Sequence, residues 1–213
     1  LQLMFKEMAE AGTSHVLIEV SSHGLHRGRL EGCDFDLGVF TNLTHDHLDY
    51  HGNMQRYAAA KRKLFDWAQL KHAVINLDDA YGAELAASLR DGAAEVIGYG
   101  LGEEALQRAD RLGIRMVHGK LQRADMHGLS LLLHTTWGAA ELESRLIGRF
   151  NASNLLGALA VLLVSEVDIE DAVRELGLQK AAPGRMQTLG GRDMPTVVVD
   201  YAHTPDALEN VLL

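Results

Sequence analysis

The strongest constraint on the fold is a rhythm of short apolar runs that stop on polar residues and are followed by helix-like stretches. Residues 15–20 (HVLIEV), 36–43 (DLGVFTNL), 72–77 (HAVINL) and 95–99 (EVIGY) are too short for buried helices and barely alternate, the pattern of strands covered on both faces. After the second run, residues 53–69 place Tyr57, Leu64 and Phe65 at helical spacing, and residues 79–90 form a second helical stretch after the third. Residues 1–11 read as a further helix stopped by Gly12. Strand, helix, strand at this spacing predicts an α/β fold with a doubly wound, mostly parallel sheet. Ligands of such sheets bind beyond the carboxyl ends of the strands, which directs attention to the polar residues at those ends.

The second half changes period. Residues 114–122, 129–136 and 140–147 alternate in twos, with turns at 125–128 and 137–138, so a small antiparallel β meander attached to the main sheet is expected, one face open to water. Residues 151–167 form the most apolar helical stretch, with Asn151 as its expected cap, and 168–176 a short amphipathic one capped by Asp168. Pro183-Gly184 breaks the chain, residues 196–200 (TVVVD) give another strand with a polar end, and Asp206 opens a helix.

Composition excludes some functions. A net charge of −9 with no basic stripe argues against nucleic-acid binding. The longest apolar run, residues 155–164, is about half a membrane span, and Lys6, Glu7 and Glu10 interrupt any secretory signal. The single cysteine, Cys33, cannot form an internal disulfide, which fits a reducing cytosol.

The densest chemistry lies in THDHLDYH, residues 44–51, with His45, His47, His51, Asp46 and Asp49 at a strand's carboxyl end. Imidazoles and carboxylates bind divalent metals and carry protons near neutral pH. A binuclear metallohydrolase pattern, His-x-His-x-Asp-His, matches His45, His47 and Asp49 but meets Tyr50 at its fourth ligand; a metal-dependent hydrolase on this loop stays an alternative. Lys61 follows Ala58, Ala59 and Ala60, small residues that let other backbone approach and enclose the amine; a desolvated lysine can act as nucleophile or form a carbamate. Glu19 ends the first run, as a metal ligand, a helix cap or an ion-pair partner. Ser21, Arg27 and Arg29 can clasp a phosphate or carboxylate. Asn154 sits in a helical first turn, and residues 200–206 (DYAHTPD) form a second acid–imidazole cluster.

In combination, EVSSHGL (19–25), FTNLTHDHLDYHG (40–52), YAAAKRKLF (57–65), GRFNASNLLGA (148–158), PGRMQ (183–187) and VDYAHTPDALE (199–209) resemble the Mur ligase family of peptidoglycan assembly, in the family's order and across nearly the whole chain. EVSSHGL with DHLDYHG points to the branch that adds the third stem-peptide residue. The resemblance implies an ATP-dependent amide-bond ligase acting on UDP-MurNAc-L-Ala-D-Glu and an amino acid, meso-diaminopimelate favoured over L-lysine, through an acyl phosphate. It implies that Glu19, His47 and a carbamoylated Lys61 hold Mg2+, with Mn2+ as a substitute. Lys61 and His47 are then catalytic; Ser21, Arg27 and Arg29 bind the muramoyl peptide, although Arg27 stands where relatives often have glutamine. Asn154, Arg185 and Asp200, with His203 beside them, contact ATP. Residues 1–190 correspond to a central ATP-binding domain without its glycine-rich phosphate loop, and 191–213 to the start of a C-terminal domain; by itself such a piece is expected not to turn over ATP. A cytoplasmic monomer is expected. A non-catalytic nucleotide-binding module on the same fold is a third possibility, against which Glu19, His47 and Lys61 all argue.

Overall fold

The computed structural model describes residues 1–44, 48–191, 194–204, 208–209 and 211. Its elements run α1 (Gln2–Glu10), α2 (Ser22–His26), β1 (Leu37–Phe40), α3 (Leu48–His51), α4 (Met54–Arg62), a 3-10 turn (Lys63–Asp66), β2 (His72–Asn76), α5 (Ala80–Leu89), β3 (Glu95–Gly100), α6 (Glu103–Leu112), β4 (Arg115–Asp125), β5 (Gly128–Thr135), β6 (Gly138–Ser144), α7 (Arg149–Val164), α8 (Ile169–Gly177), β7 (Gln187–Gly191) and β8 (Met194–Val199). Strands β1 to β6 form one sheet in sequential order. The first three pairings are parallel and the last two antiparallel, so the fold is the α/β, mostly parallel sheet with a meander that the rhythm predicts, helices covering both of its faces. The meander is no appendage: β4 pairs with β3 through residues 115–118 and with β5 from Val117 onward.

Sequential order with right-handed crossovers places every crossover helix on one face. There Phe40, Ala73, Ile75, Leu77, Val96 and Met116 pack against Phe65, Leu85, Ala86, Ala105 and Ala109. The next residue along each strand points the other way, so Val74, Ile97, Tyr99 and Val117 join Leu129, Leu131, Leu133 and Leu142 under α7 and α8. Apolar on nearly every side, α7 buries Leu155, Leu156, Leu159, Ala160 and Leu163, each leucine contributing about 1.5–3 kcal/mol of burial. Its close approach needs Gly157, where a Cβ would lie 3.1 Å from the Tyr99 ring.

Three expectations fail. Residues 15–20 form no strand: the segment is irregular, and Val16, Leu17 and Ile18 are 45%, 88% and 37% exposed. A strand is a pairing property, and among the described residues β1, at the edge of the sheet, pairs only with β2, so an apolar run without a ladder partner gains nothing by extending. The helix expected over 53–69 stops at Arg62 and tightens into the 3-10 turn, which lays Leu64 and Phe65 over Gly38 of β1. Asn151 is not the cap of α7: the helix starts earlier, Gly148 is the N-cap, and the Asn151 amide donates to the Ile147 carbonyl at 2.8 Å. Asp168 does cap α8, accepting from the Glu170 amide at 2.8 Å. β7 and β8 form a separate two-stranded antiparallel sheet whose register shifts between Leu189 and Gly191; Asp206 lies outside the described residues.

Candidate active site

Lys61 sits where the alanine-rich turn of α4 meets the exit of β1. Ala58 and Ala60 are buried and Lys61 half-buried. Its Nζ donates to the Asn42 carbonyl at 2.8 Å and lies 5.2 Å from the Tyr57 ring centroid and 5.7 Å from that of Phe40. Two residues that sequence reasoning passed over hold the backbone on either side. The Asn76 amide donates to the Thr41 carbonyl at 2.7 Å. Asp79 accepts from the Leu43 amide through Oδ2 at 2.9 Å and caps α5 by accepting from the Gly82 amide through Oδ1 at 2.9 Å. Three consecutive residues entering the histidine loop are thus tied by Asn76, Lys61 and Asp79. A cap at Asp79 is legible in sequence; its second oxygen reaching 36 residues back is not. The close seat of α5 requires Gly82, where a Cβ would overlap the Asn76 carbonyl oxygen.

His45, Asp46 and His47 lie outside the described residues. Asp49 is exposed in α3. His51 closes α3 and is buried, its Nε2 2.9 Å from Ser22 Oγ and its ring stacked on Tyr57 at 5.2 Å. It therefore fastens α3 to α2 and to the helix carrying Lys61.

Ser21 is the N-cap of α2, its Oγ accepting from the Gly24 amide at 3.1 Å. Arg27, just past α2, donates from Nε to the Tyr50 hydroxyl at 3.2 Å, and that hydroxyl is 2.9 Å from His26 Nδ1. Arg29 is exposed, as is Glu19 in the irregular segment before α2. Ser21 and Arg27 thus stand at the two ends of α2, and His51 and Tyr57 join α2 to the helix that carries Lys61.

The nucleotide candidates fall in two places. Asp200 accepts from the Met186 amide and from the Ala202 amide, both at 2.8 Å. The Arg185 guanidinium lies 5.5 Å over the Tyr201 ring, and His203 Nδ1 is 2.8 Å from the Tyr201 carbonyl. Arg185, Asp200 and His203 therefore form one cluster around Tyr201. Asn154 is exposed on α7, its amide donating to Asn151 Oδ1 at 3.3 Å, and no contact joins it to that cluster among the described residues.

One perturbed group lies beneath the site. Burial, reinforced by the nearby Asp78 and Asp79 carboxylates, pushes the Tyr99 phenol far above its ordinary range; its hydroxyl donates to the Phe40 carbonyl at 3.3 Å.

Residues 1–162 match the family model "Mur ligase middle domain". Over 212 residues the chain is 46% identical to the UDP-N-acetylmuramoyl-L-alanyl-D-glutamate–2,6-diaminopimelate ligase of Chromobacterium violaceum, covering 100% of the chain and 41% of that protein. The ligases of the same name from Ralstonia nicotianae and Coxiella burnetii are 47% and 42% identical, again over 100% of the chain and 41% and 42% of their own lengths. The chain thus spans about two fifths of the length of these relatives. A solved structure of a ligase of that name superposes with a TM-score of 0.74 at 39% identity, covering 91% of the chain and 38% of that protein. MurF from Acinetobacter baumannii, at 19% identity and a TM-score of 0.67 over 82% of the chain and 36% of its own, shares the fold.

Proposed function

The chain belongs to the Mur ligase family through its middle domain, and on that premise we propose that the protein carrying it is an ATP-dependent ligase of peptidoglycan precursor synthesis. The reaction joins meso-diaminopimelate, in preference to L-lysine, to UDP-MurNAc-L-Ala-D-Glu. The observation that carries this reading is the match over the whole chain, at 42–47% identity, to enzymes named for that step. ATP phosphorylates the D-glutamyl carboxylate, the incoming amine attacks the acyl phosphate, and phosphate leaves from the tetrahedral intermediate.

Lys61 serves as a carbamate. Its ammonium takes up CO2 and releases two protons, turning a cation into a hard anionic oxygen donor. The one N–H left on the nitrogen can still donate to the Asn42 carbonyl, which now accepts from Nζ, so the same bond sets the direction of the new carboxylate. Glu19, this carbamate and His47 would hold the metal. Two anionic oxygens and one imidazole suit Mg2+, or Mn2+, rather than a thiolate-seeking ion. When bound, the ion supplies positive charge against the charge that develops on the transferring phosphoryl group. Ser21, Arg27 and Arg29 bind the muramoyl peptide, while Asn154, Arg185, Asp200 and His203 bind ATP. Residues 1–190 are read as the central domain and 191–213 as the start of the next. No helix among the described residues is long and apolar enough to cross a membrane. The site of action is read as the cytoplasm and the protein as a monomer.

The test is phosphate release from ATP that depends on both the muramoyl dipeptide and diaminopimelate, measured on the intact protein. Lys61→Met is expected to lower the rate at least about a hundredfold; full activity in that variant would sink the reading. Stoichiometric, tightly held zinc would instead support the hydrolase built on His45, His47 and Asp49.

A further inference from the structure

A cavity of about 360 Å³ opens on the side of α4 turned toward α2 and α3, lined by His26, Tyr50, His51, Arg56, Ala59, Ala60 and Lys63. Its floor follows from helical spacing: Arg56, Ala59, Ala60 and Lys63 recur every three or four residues and share one face, with two alanines between two cations. At 100° per residue that face lies roughly 150° around the helix from Lys61, so the cavity is separate from the lysine proposed above to be carbamoylated.

Its charge is unusual for a chain of net charge −9. No carboxylate among the described residues lines it. Among the described residues the Arg56 and Lys63 side chains have no ion-pair or hydrogen-bond partner, whereas the neighbouring Arg62 is paired with Asp66 at 3.5 Å and bonded to Ser88. The wall is aromatic and polar: the Tyr50 and His51 rings meet edge to face at 4.8 Å, and the Tyr50 hydroxyl is already engaged by Arg27 and His26. Two unpaired cations at the ends of a small-residue floor, about 10 Å apart along the axis, with ring walls between them, suit a compact ligand that carries two separate negative groups. The volume falls at the lower end of small-molecule sites.

We propose that this cavity is a second binding site, selective for a small polyanion whose two oxyanion groups are held by Arg56 and Lys63. Phosphate and carboxylate share the required chemistry, so inorganic pyrophosphate and citrate are the two probes.

The experiment is lysine footprinting by acetylation and mass spectrometry on the intact protein, with Lys120, an exposed residue of β4, as internal control. Pyrophosphate, citrate or both are expected to slow acetylation of Lys63 and leave Lys120 unchanged; the more effective probe identifies the anion class. In calorimetry, Arg56→Gln and Lys63→Gln should each weaken that probe's binding by at least about tenfold, the loss of one charge-assisted contact. Both side chains are exposed, so the variants keep the fold, and binding to any nucleotide site persists in them as a separate event. Equal acetylation of Lys63 with and without both probes, or binding unaltered in both variants, overturns the proposal.

Discussion

Replacing Asp79 by alanine tests whether the β2–α5 turn holds the exit of β1. The carboxylate makes two bonds at 2.9 Å, one capping α5 at Gly82 and one reaching the Leu43 amide. Loss of an N-cap costs about 1 kcal/mol, and a hydrogen bond to a charged group is worth about 1.5–3 kcal/mol. Asp79 is only half-buried, so the lower end applies, and one carboxylate serves both bonds, so the contributions are not independent. A total of roughly 2–3 kcal/mol follows, which for a chain of this size lowers Tm by roughly 4–12 °C. Amide hydrogen exchange locates the effect: Leu43 and Gly82 should exchange about tenfold faster or more in Asp79→Ala. Asp79→Asn, which keeps one acceptor oxygen, should fall between. If Gly82 speeds up while Leu43 keeps its wild-type rate, Asp79 merely caps α5 and the account of the loop entrance is wrong.

Four further outcomes are expected. Leu156→Ala, at a fully buried position of α7 whose methyls press on Gly119, should cost about 2–5 kcal/mol in urea unfolding. Because the Tyr99 phenol is raised in the folded state from its ordinary value of 10.0, its contribution is complete below pH 10 and is lost as pH rises from there toward the folded value; Tyr99→Phe should flatten the alkaline fall of stability. His51→Leu leaves the buried Ser22 hydroxyl without its imidazole partner, at about 1–3 kcal/mol, and adding Ser22→Ala should recover part of that loss in a double-mutant cycle. Exhaustive removal of CO2 and bicarbonate should lower ligase activity of the intact protein and readdition restore it; indifference to both would count against the carbamate.

Much of the architecture was legible because its signals are local. Apolar runs at 36–43, 72–77 and 95–99 became β1, β2 and β3, since each found a ladder partner and cover on its inner face. Asp79 and Asp168 announce helix starts by residue type alone. Helix α6 (Glu103–Leu112) went unread because its long polar face outweighs the buried Ala105 and Ala109, which a hydrophobic count registers weakly. The same limit misjudged residues 15–20, whose composition is that of a strand but whose partner is a matter of tertiary structure.

For the candidate site, the residue types around Lys61 come from the sequence: a lysine after three alanines, and arginines beside paired serines. Which groups meet is another matter. Asp79 reaches Leu43, His51 locks Ser22 against Tyr57, and Arg185 gathers with Asp200 around Tyr201 while Asn154 stands apart, and none of these follows from spacing along the chain. Sequence determines what a residue can donate, accept or bury, because that is set by its own atoms and its near neighbours. Only the folded sheet, by choosing which strand ends lie side by side, decides the partners across tens of residues.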